Sequence, residues 1–199
     1  MKLITGATIT HAESSAITYG EAHKTSASNT TPYVGAVVDL TKNVSAYASY
    51  TGLFNPQTQV DIKGVPLDPA KGKSTEVGLK SEFFDRRLNA LMAVFKTKQS
   101  NAAEQAGYVG ATAYYSGIDA ESKGLEQELA GEVTKGLQAS VGCTQLSITG
   151  DDGSAVRTYV PRKLFRASTT YQLPQLAQMK IGASVNCKAT PNAVRATAL

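Results

Sequence analysis

The chain has 199 residues, a length that suits one domain, and only 18% of them are charged. Tryptophan is absent and tyrosine outnumbers phenylalanine, and small and hydroxyl side chains dominate, which favours strands with one mildly apolar face over amphipathic helices. The net charge of +4 is scattered, without a basic run interleaved with aromatics, so the composition argues against a nucleic-acid-binding protein.

The hydrophobic pattern predicts nine strands joined by alternating long and short connections. In chain order the strands cover residues 2–10, 31–40, 44–54, 73–84, 88–98, 121–133, 137–149, 163–172 and 177–187. Short turns are predicted at 41–43, 85–87, 134–136 and 173–176. Longer polar segments are predicted at 11–29, 55–72, 99–120 and 150–162, and Pro56, Pro66 and Pro69 prevent strand pairing in the second of these.

The connections alternate between long and short, which indicates a molecule whose two ends differ. All four short turns fall at one end of the predicted strands, and the long segments fall at the other end. Transmembrane β-barrels have this asymmetry, and several predicted strands reach the 9–11 residues that a tilted strand needs to cross a bilayer. The sequence therefore predicts an all-β fold, an antiparallel up-and-down transmembrane barrel segment of about nine strands that is too short to close.

Three predicted strands alternate between apolar and polar side chains. The apolar positions are Thr75, Val77, Leu79 and Phe83; Leu125, Leu129 and Val133; and Leu137, Ala139, Val141 and Cys143. The opposite positions are Glu76, Gly78, Lys80 and Glu82; Gly124, Glu126, Glu128 and Glu132; and Gln138, Ser140, Gly142 and Thr144. Such alternation fits a barrel with a polar lumen or a soluble sandwich with a solvated face, and the sided loops favour the barrel.

Five aromatic residues lie near predicted strand ends, where a barrel carries interfacial girdles. They are Tyr50, Phe54, Phe83, Phe84 and Tyr171. Ordinary core packing is the alternative for each of them.

No catalytic or metal-binding constellation is predicted. Cys143 and Cys187 are expected to be buried as apolar groups, and they lack metal-ligand spacing with each other or with His11 and His23. Nucleophile, metalloprotease and phosphate-binding motifs are absent, so the chain is not predicted to be an enzyme. The pair at 151–152 is interpreted as turn chemistry, and the carboxylates at 126 and 128 as a lumen wall and not a glycosidase pair.

The amino-terminal residues show no basic n-region, apolar h-region or cleavage site, so no signal peptide is predicted. No run approaches 18 apolar residues, so no transmembrane helix is predicted either. Membrane insertion would therefore depend on strands.

Several motifs, in order and spacing, resemble the barrel of TonB-dependent ferric-siderophore receptors of the outer membrane, most like the hydroxamate and pyoverdine types. They are Thr31-Pro32-Tyr33-Val34-Gly35, Val38-Asp39-Leu40, Ser45-Ala46-Tyr47-Ala48-Ser49-Tyr50-Thr51, Phe54-Asn55-Pro56-Gln57, Leu67-Asp68-Pro69, Glu76-Val77-Gly78-Leu79-Lys80, Phe84-Asp85-Arg86-Arg87-Leu88-Asn89, Ser122-Lys123-Gly124-Leu125-Glu126, Val160-Pro161-Arg162 and Thr169-Thr170-Tyr171.

This resemblance implies a fragment, truncated at both ends, of the C-terminal barrel of such a receptor. Residues 1–187 would be the barrel part and 188–199 a disordered tail outside the family, the result of a frameshift or premature end. A family member binds a ferric siderophore, needs no cofactor, lies in outer-membrane lipid and contacts the TonB system through a plug that this chain lacks. We therefore expect no transport by the chain alone.

No ligand-binding residue is carried over from the resemblance, and segments 55–72, 99–120 and 150–162 remain candidate surface loops only. A small β-barrel or β-sandwich that acts as a binding or adhesion module is the alternative.

Overall fold

The computed structural model describes residues 1–18, 20–173, 179–190 and 193–198. These residues form ten strands and connecting turns, and no helix among them is long and apolar enough to span a membrane. The strands are β1 (Lys2–Thr18), β2 (Glu21–Asp39), β3 (Val44–Asn55), β4 (Ala70–Phe83), β5 (Leu88–Val109), β6 (Thr112–Thr134), β7 (Leu137–Gly150), β8 (Lys163–Gln172), β9 (Lys180–Thr190) and β10 (Ala193–Ala198).

All ten strands belong to one antiparallel sheet in sequence order, β1 to β10. Each strand pairs with the next one, and in the described part of the chain β1 and β10 do not pair with each other. The sheet is therefore open. This confirms the all-β, up-and-down, incomplete-barrel prediction, and a two-sheet sandwich is excluded because the strands of the described residues form a single sheet.

Two predicted polar loops are wrong. Residues 11–29 and 99–120 are mostly strand, because β1 continues to Thr18 and β2 begins at Glu21, and β5 and β6 continue to a two-residue turn at 110–111. Gly20 and Gly110 have φ of +85° and +61°, the left-handed conformation that tight hairpin turns require. These polar segments gain strand structure from cross-strand hydrogen bonds, which need no apolar alternation.

The other connections agree closely with the prediction. The long loops cover 56–69 and 151–162, and short turns join β2 to β3, β4 to β5 and β6 to β7 at one end of the sheet. The predicted strand 163–172 matches β8 to the residue. The predicted turn 173–176 and the start of the strand at 177 lie mostly outside the described residues.

The carboxyl-terminal residues differ from the expected irregular tail. Lys188–Thr190 continue β9, and β10 pairs with it through Ala196 opposite Cys187. An edge strand offers free backbone N–H and C=O groups, so a segment without apolar alternation can still pair with it. The division of the chain at residue 187 stays a prediction.

Aromatic rings on one face lie across glycines of neighbouring strands. Tyr47 covers Gly78, and Phe95 covers Gly124 in the same way. A Cβ at Gly78 would lie 2.6 Å from the Tyr47 ring and 2.7 Å from the Met92 carbonyl oxygen. The missing side chain therefore lets the ring lie flat against the sheet.

We expect Gly78→Ala to lower the free energy of unfolding by about 1–3 kcal/mol, because the methyl group meets backbone as well as ring atoms. Gly142→Ala is the matched control, since its Cβ would meet only the Gln127 carbonyl oxygen, at 3.9 Å. Guanidinium titration of a closed barrel that contains this chain, in phospholipid vesicles and followed by tyrosine fluorescence, measures both variants. Equal stability of the two variants would contradict the role of the Gly78 cleft.

Candidate functional site

The apolar side chains of the central strands are the exposed ones. On β4, Val77 and Leu79 are 56% and 45% exposed, whereas the alternating positions Glu76 and Gly78 are half-buried and buried. The described residues contain no large, fully buried side chain, and four of the five buried apolar residues are alanines. A water-soluble domain has the opposite distribution, with its large apolar side chains buried, and exposed apolar patches of this extent are rare in such domains.

The strand register joins these exposed residues into continuous rows on one face, which we call the outer face. Val77 is opposite Val94, Leu79 is opposite Met92, and the row that contains Leu129 continues to Val141. From Val77 to Phe83 the rows extend about 20 Å along the strand, at roughly 3.3 Å per residue. A continuous apolar face of this kind is what a transmembrane barrel presents to lipid.

Four of the five predicted girdle aromatics lie on the outer face near its two ends. Phe83 and Tyr171 are at the short-turn end, and Tyr50 and Phe54 are toward the long loops. Phe84 lies in the turn between β4 and β5. Their role at a membrane interface stays a prediction.

The opposite face, which we call the inner face, is polar. The Tyr47 hydroxyl donates a hydrogen bond to Glu76 Oε1, and Lys80 Nζ lies 4.7 Å from the centre of the Tyr47 ring. The alternation predicted for β4 is therefore confirmed, with its charged residues on one face. Glu76 and Lys80 contact Tyr47 only because β3, which carries Tyr47, pairs with β4.

Farther across the inner face, β5 to β9 line a shallow cavity of about 430 Å³. Glu126 and Glu128 from β6 face it together with Arg166 from β8 and Asn186 from β9. Glu126 and Glu128, which were predicted to form a lumen wall, thus line one side of the cavity, and the Arg166 guanidinium lies two strands away. The carboxylates lack the opposed carboxylate partner that glycoside hydrolysis uses.

One buried side chain anchors the loop at 56–69. The Gln57 amide nitrogen donates to the carbonyl oxygens of Asp68 (2.7 Å) and Asn101 (2.8 Å), and its amide oxygen accepts from the Ala103 N–H (2.8 Å). Gln57 is only 9% exposed. It joins both ends of the loop to the bulge of β5, where Asn101 has a φ of +56°.

The loop at 151–162 is held by turn contacts. Asp152 accepts hydrogen bonds from the hydroxyl and the N–H of Ser154, which lower the pKa of its carboxyl and confirm the turn interpretation. Arg162 donates to the Val156 carbonyl oxygen at 2.6 Å. Burial lowers the pKa of Arg162, and repulsion by Arg157 adds to the effect.

The cysteine prediction is partly wrong. Cys143 on β7 and Cys187 on β9 lie on the same face, but β8 separates them, and Phe165 is opposite both. Cys143 is exposed, because it belongs to the outer face where apolar groups are not covered by protein.

The histidines lie apart from the cysteines, on the first hairpin. His11 contacts Ser28 and Glu13. Among the described residues no group of three or more His, Cys, Asp or Glu side chains could hold a metal ion.

The family described as TonB dependent receptor-like, beta-barrel matches residues 2–194. The chain belongs to this family. TonB-dependent receptors are outer-membrane transport proteins and not enzymes, and they need no cofactor of their own.

Curated relatives include the ferric-pyoverdine 358 receptor of Pseudomonas putida, 41% identical over 83% of the chain and 21% of the receptor. The ferripyoverdine receptor of Pseudomonas aeruginosa is 38% identical over 71% of the chain and 18% of the receptor. The chain therefore spans about a fifth of the length of the curated relatives that it matches.

Solved structures of the family share the fold. The alcaligin outer membrane receptor FauA of Bordetella pertussis aligns with a TM-score of 0.76 and 29% identity, over 98% of the chain and 36% of the receptor chain. The ferripyoverdine receptor of Pseudomonas aeruginosa bound to ferripyoverdine aligns with a TM-score of 0.70, over 99% of the chain and 28% of the receptor chain.

Two groups of residues were missed by the sequence analysis. No local pattern marks Gln57, because its partners are 11 to 46 residues away. The lysines at 71, 73, 96, 98 and 123 do carry a signal, two pairs spaced by two residues, which places each pair on one strand face. These lysines lie close together only because of the register of β4, β5 and β6.

Proposed function

We propose that the chain forms part of the barrel wall of an outer-membrane receptor for TonB-dependent uptake of a ferric siderophore of the pyoverdine class. The observation that carries this proposal is the continuous apolar outer face of a single sheet, in a chain that belongs to this receptor family. The pyoverdine class is favoured by the names of the relatives at 38–41% identity.

The charged inner face is evidence for a water-filled lumen through which a polar cargo passes. Glu76, Lys80, Glu126 and Arg166 alternate with the apolar outer positions along their strands. Lipid would not tolerate these charges, whereas a water-filled lumen would.

We propose further that the chain does not transport by itself. The described sheet is open, so β1 and β10 each present an unpaired edge. In lipid each unsatisfied backbone group costs several kcal/mol, so the edges need further strands of a complete receptor. The TonB system would act through the remaining parts of that receptor.

A chimera tests both parts of the proposal. The full chain replaces the equivalent segment of the Pseudomonas putida ferric-pyoverdine 358 receptor in a strain that lacks this receptor. We expect growth on ferric pyoverdine under iron limitation with the chimera, and none with the chain alone supplied with an export leader. Surface labelling checks that each protein reaches the outer membrane.

Growth with the exported chain alone would overturn the requirement for a complete receptor. A chimera that is exported and folded but does not take up ferric pyoverdine would overturn the assignment to the pyoverdine class.

A further inference from the structure

One glutamine interrupts the apolar rows of the outer face. Gln127 on β6 lies directly opposite Met92 of β5 and Cys143 of β7. Its neighbours on the same face of β6 are Leu125 and Leu129. The Gln127 side chain is exposed, and no described residue donates a hydrogen bond to it or accepts one from it. A carboxamide with two N–H donors and a carbonyl acceptor is therefore left open on an apolar surface.

Other polar side chains on the outer face find their partners within the sheet. The Thr75 hydroxyl donates to the Lys96 carbonyl oxygen at 3.3 Å, and the Thr169 hydroxyl donates to the Gln138 carbonyl oxygen at 3.0 Å. The threonines thus need nothing from outside the chain. Gln127 differs from them, because in hydrocarbon a polar group without a hydrogen bond is strongly unfavourable.

Gln127 lies too deep in the apolar rows for its short side chain to reach the polar ends of the wall. Lys123, on the same face toward the long loops, is roughly 13 Å away along the strand. Thr134, where β6 ends, is roughly 23 Å away in the other direction. With the outer face in the bilayer, a hydrogen-bond partner for this carboxamide has to come from within the membrane.

A second copy of the same barrel supplies a matching group at the right depth. A carboxamide is self-complementary, because the N–H of each copy can donate to the carbonyl oxygen of the other. A two-fold axis along the membrane normal keeps both copies in the same orientation, so the two Gln127 side chains lie at the same height. Acyl chains of lipid offer neither a donor nor an acceptor.

The surface beside Gln127 has room for side chains of a second copy. A cavity of about 430 Å³ on the outer face is lined by Gln127, Cys143, Phe165 and Cys187 among others. The two small cysteines lie on either side of Phe165 in one cross-strand row. With the axis at Gln127, β5 of one copy faces β7 of the other. The flexible Met92 side chain then meets Cys143 of the second copy, and small residues let the two walls approach closely.

We propose that complete receptors containing this chain associate in pairs through the outer face around Gln127, with reciprocal hydrogen bonds between the two carboxamides. The proposal rests on the proposed function, because it requires the outer face to lie in lipid. Each barrel keeps its own lumen, since the contact uses only the outer face.

The test uses the chimeric receptor, labelled at its amino terminus with a donor or an acceptor fluorophore and mixed in phosphatidylcholine vesicles. Energy transfer above that of random mixing reports association at each surface density. We expect Gln127→Leu to insert normally but to need about tenfold higher surface density for the same energy transfer, because the hydrogen bonds between copies are lost. Gln138→Leu makes the same change on the inner face and should associate as the unchanged chimera does.

The two cysteines test the geometry of the contact. Each is spin-labelled in the unfolded chimera while every other cysteine is replaced by serine. With the axis at Gln127, the two Cys143 positions are two strand spacings apart, roughly 10 Å, and the two Cys187 positions are six spacings apart, roughly 29 Å. We expect pulsed electron paramagnetic resonance to give a label distance shorter at Cys143 than at Cys187 by more than about 10 Å.

Energy transfer no greater than random mixing in the unchanged chimera would overturn the proposal and would show that lipid covers Gln127. Equal association by Gln127→Leu and Gln138→Leu would also overturn it, as would label distances that are equal or in the reverse order. Growth on ferric pyoverdine tests the proposed function separately. A monomeric chimera that still supports growth would therefore overturn the paired receptor alone.

Discussion

Val141→Arg is expected to lower the free energy of unfolding of the chimeric receptor in phospholipid vesicles by about 2–4 kcal/mol, because it places a guanidinium in the apolar outer rows. Val141 lies between Leu129 and Ala167 in these rows and is 37% exposed on the outer face. In a soluble sheet the same substitution at an exposed position would change stability by less than about 0.5 kcal/mol. Guanidinium titration followed by tyrosine fluorescence separates the two cases.

The neighbouring position supplies the control for this prediction. Ser140 is on the inner face, where it lines the cavity with Glu126 and Arg166. We expect Ser140→Arg to lower the free energy of unfolding by less than about 1 kcal/mol, because a lumen-facing charge stays hydrated. If Ser140→Arg cost more than Val141→Arg, the apolar face would not be the one in contact with lipid.

Gln57→Leu is expected to release the loop at 56–69 from the sheet. The substitution leaves two backbone groups without their side-chain partner, the carbonyl of Asn101 and the N–H of Ala103, whereas the Asp68 carbonyl keeps the Asn101 side-chain amide at 2.6 Å. Each unsatisfied buried group costs about 1–3 kcal/mol, so the free energy of opening the loop should fall by roughly 2 kcal/mol or more. The population with an open loop should therefore rise at least roughly thirtyfold.

Trypsin reports this opening, because the exposed Lys63 precedes the buried Gly64 within the loop. The rate of cleavage after Lys63 should rise with the open population. Gln57→Glu keeps the acceptor for Ala103 and loses both donors, so its cleavage rate should be intermediate. Gln105→Leu changes an exposed glutamine on β5 and should leave the rate unchanged. Equal rates for Gln57→Leu and Gln105→Leu would show that the loop does not depend on Gln57.

The apolar parts of the strands were predictable from sequence because their side chains alternate. Residues 163–172 and the start of β5 at Leu88 agree with the structure to the residue. The polar extensions of β1, β2, β5 and β6 were not predictable in this way. Their serines, threonines and glutamates carry no alternating pattern, and their strand structure depends on the hydrogen bonds of the partner strand.

For the candidate site, too, the sequence predicted the faces of single strands but not the contacts between strands. The sequence alone assigned Glu76, Lys80, Glu126 and Glu128 to polar strand faces, because successive side chains of a strand point to opposite sides. It did not predict the contact of Tyr47 with Glu76, which depends on the pairing of β3 with β4.

The sequence by itself determined an all-β chain of receptor type, with an apolar and a polar face on its strands and sided connections. Only the tertiary structure decided which residues meet across strands, among them the lysines at 71, 73, 96, 98 and 123 and the partners of Gln57. The physical reason is that alternation is a local property of each strand. Register is set between strands, by turns and bulges such as those at Asn101 and Val133.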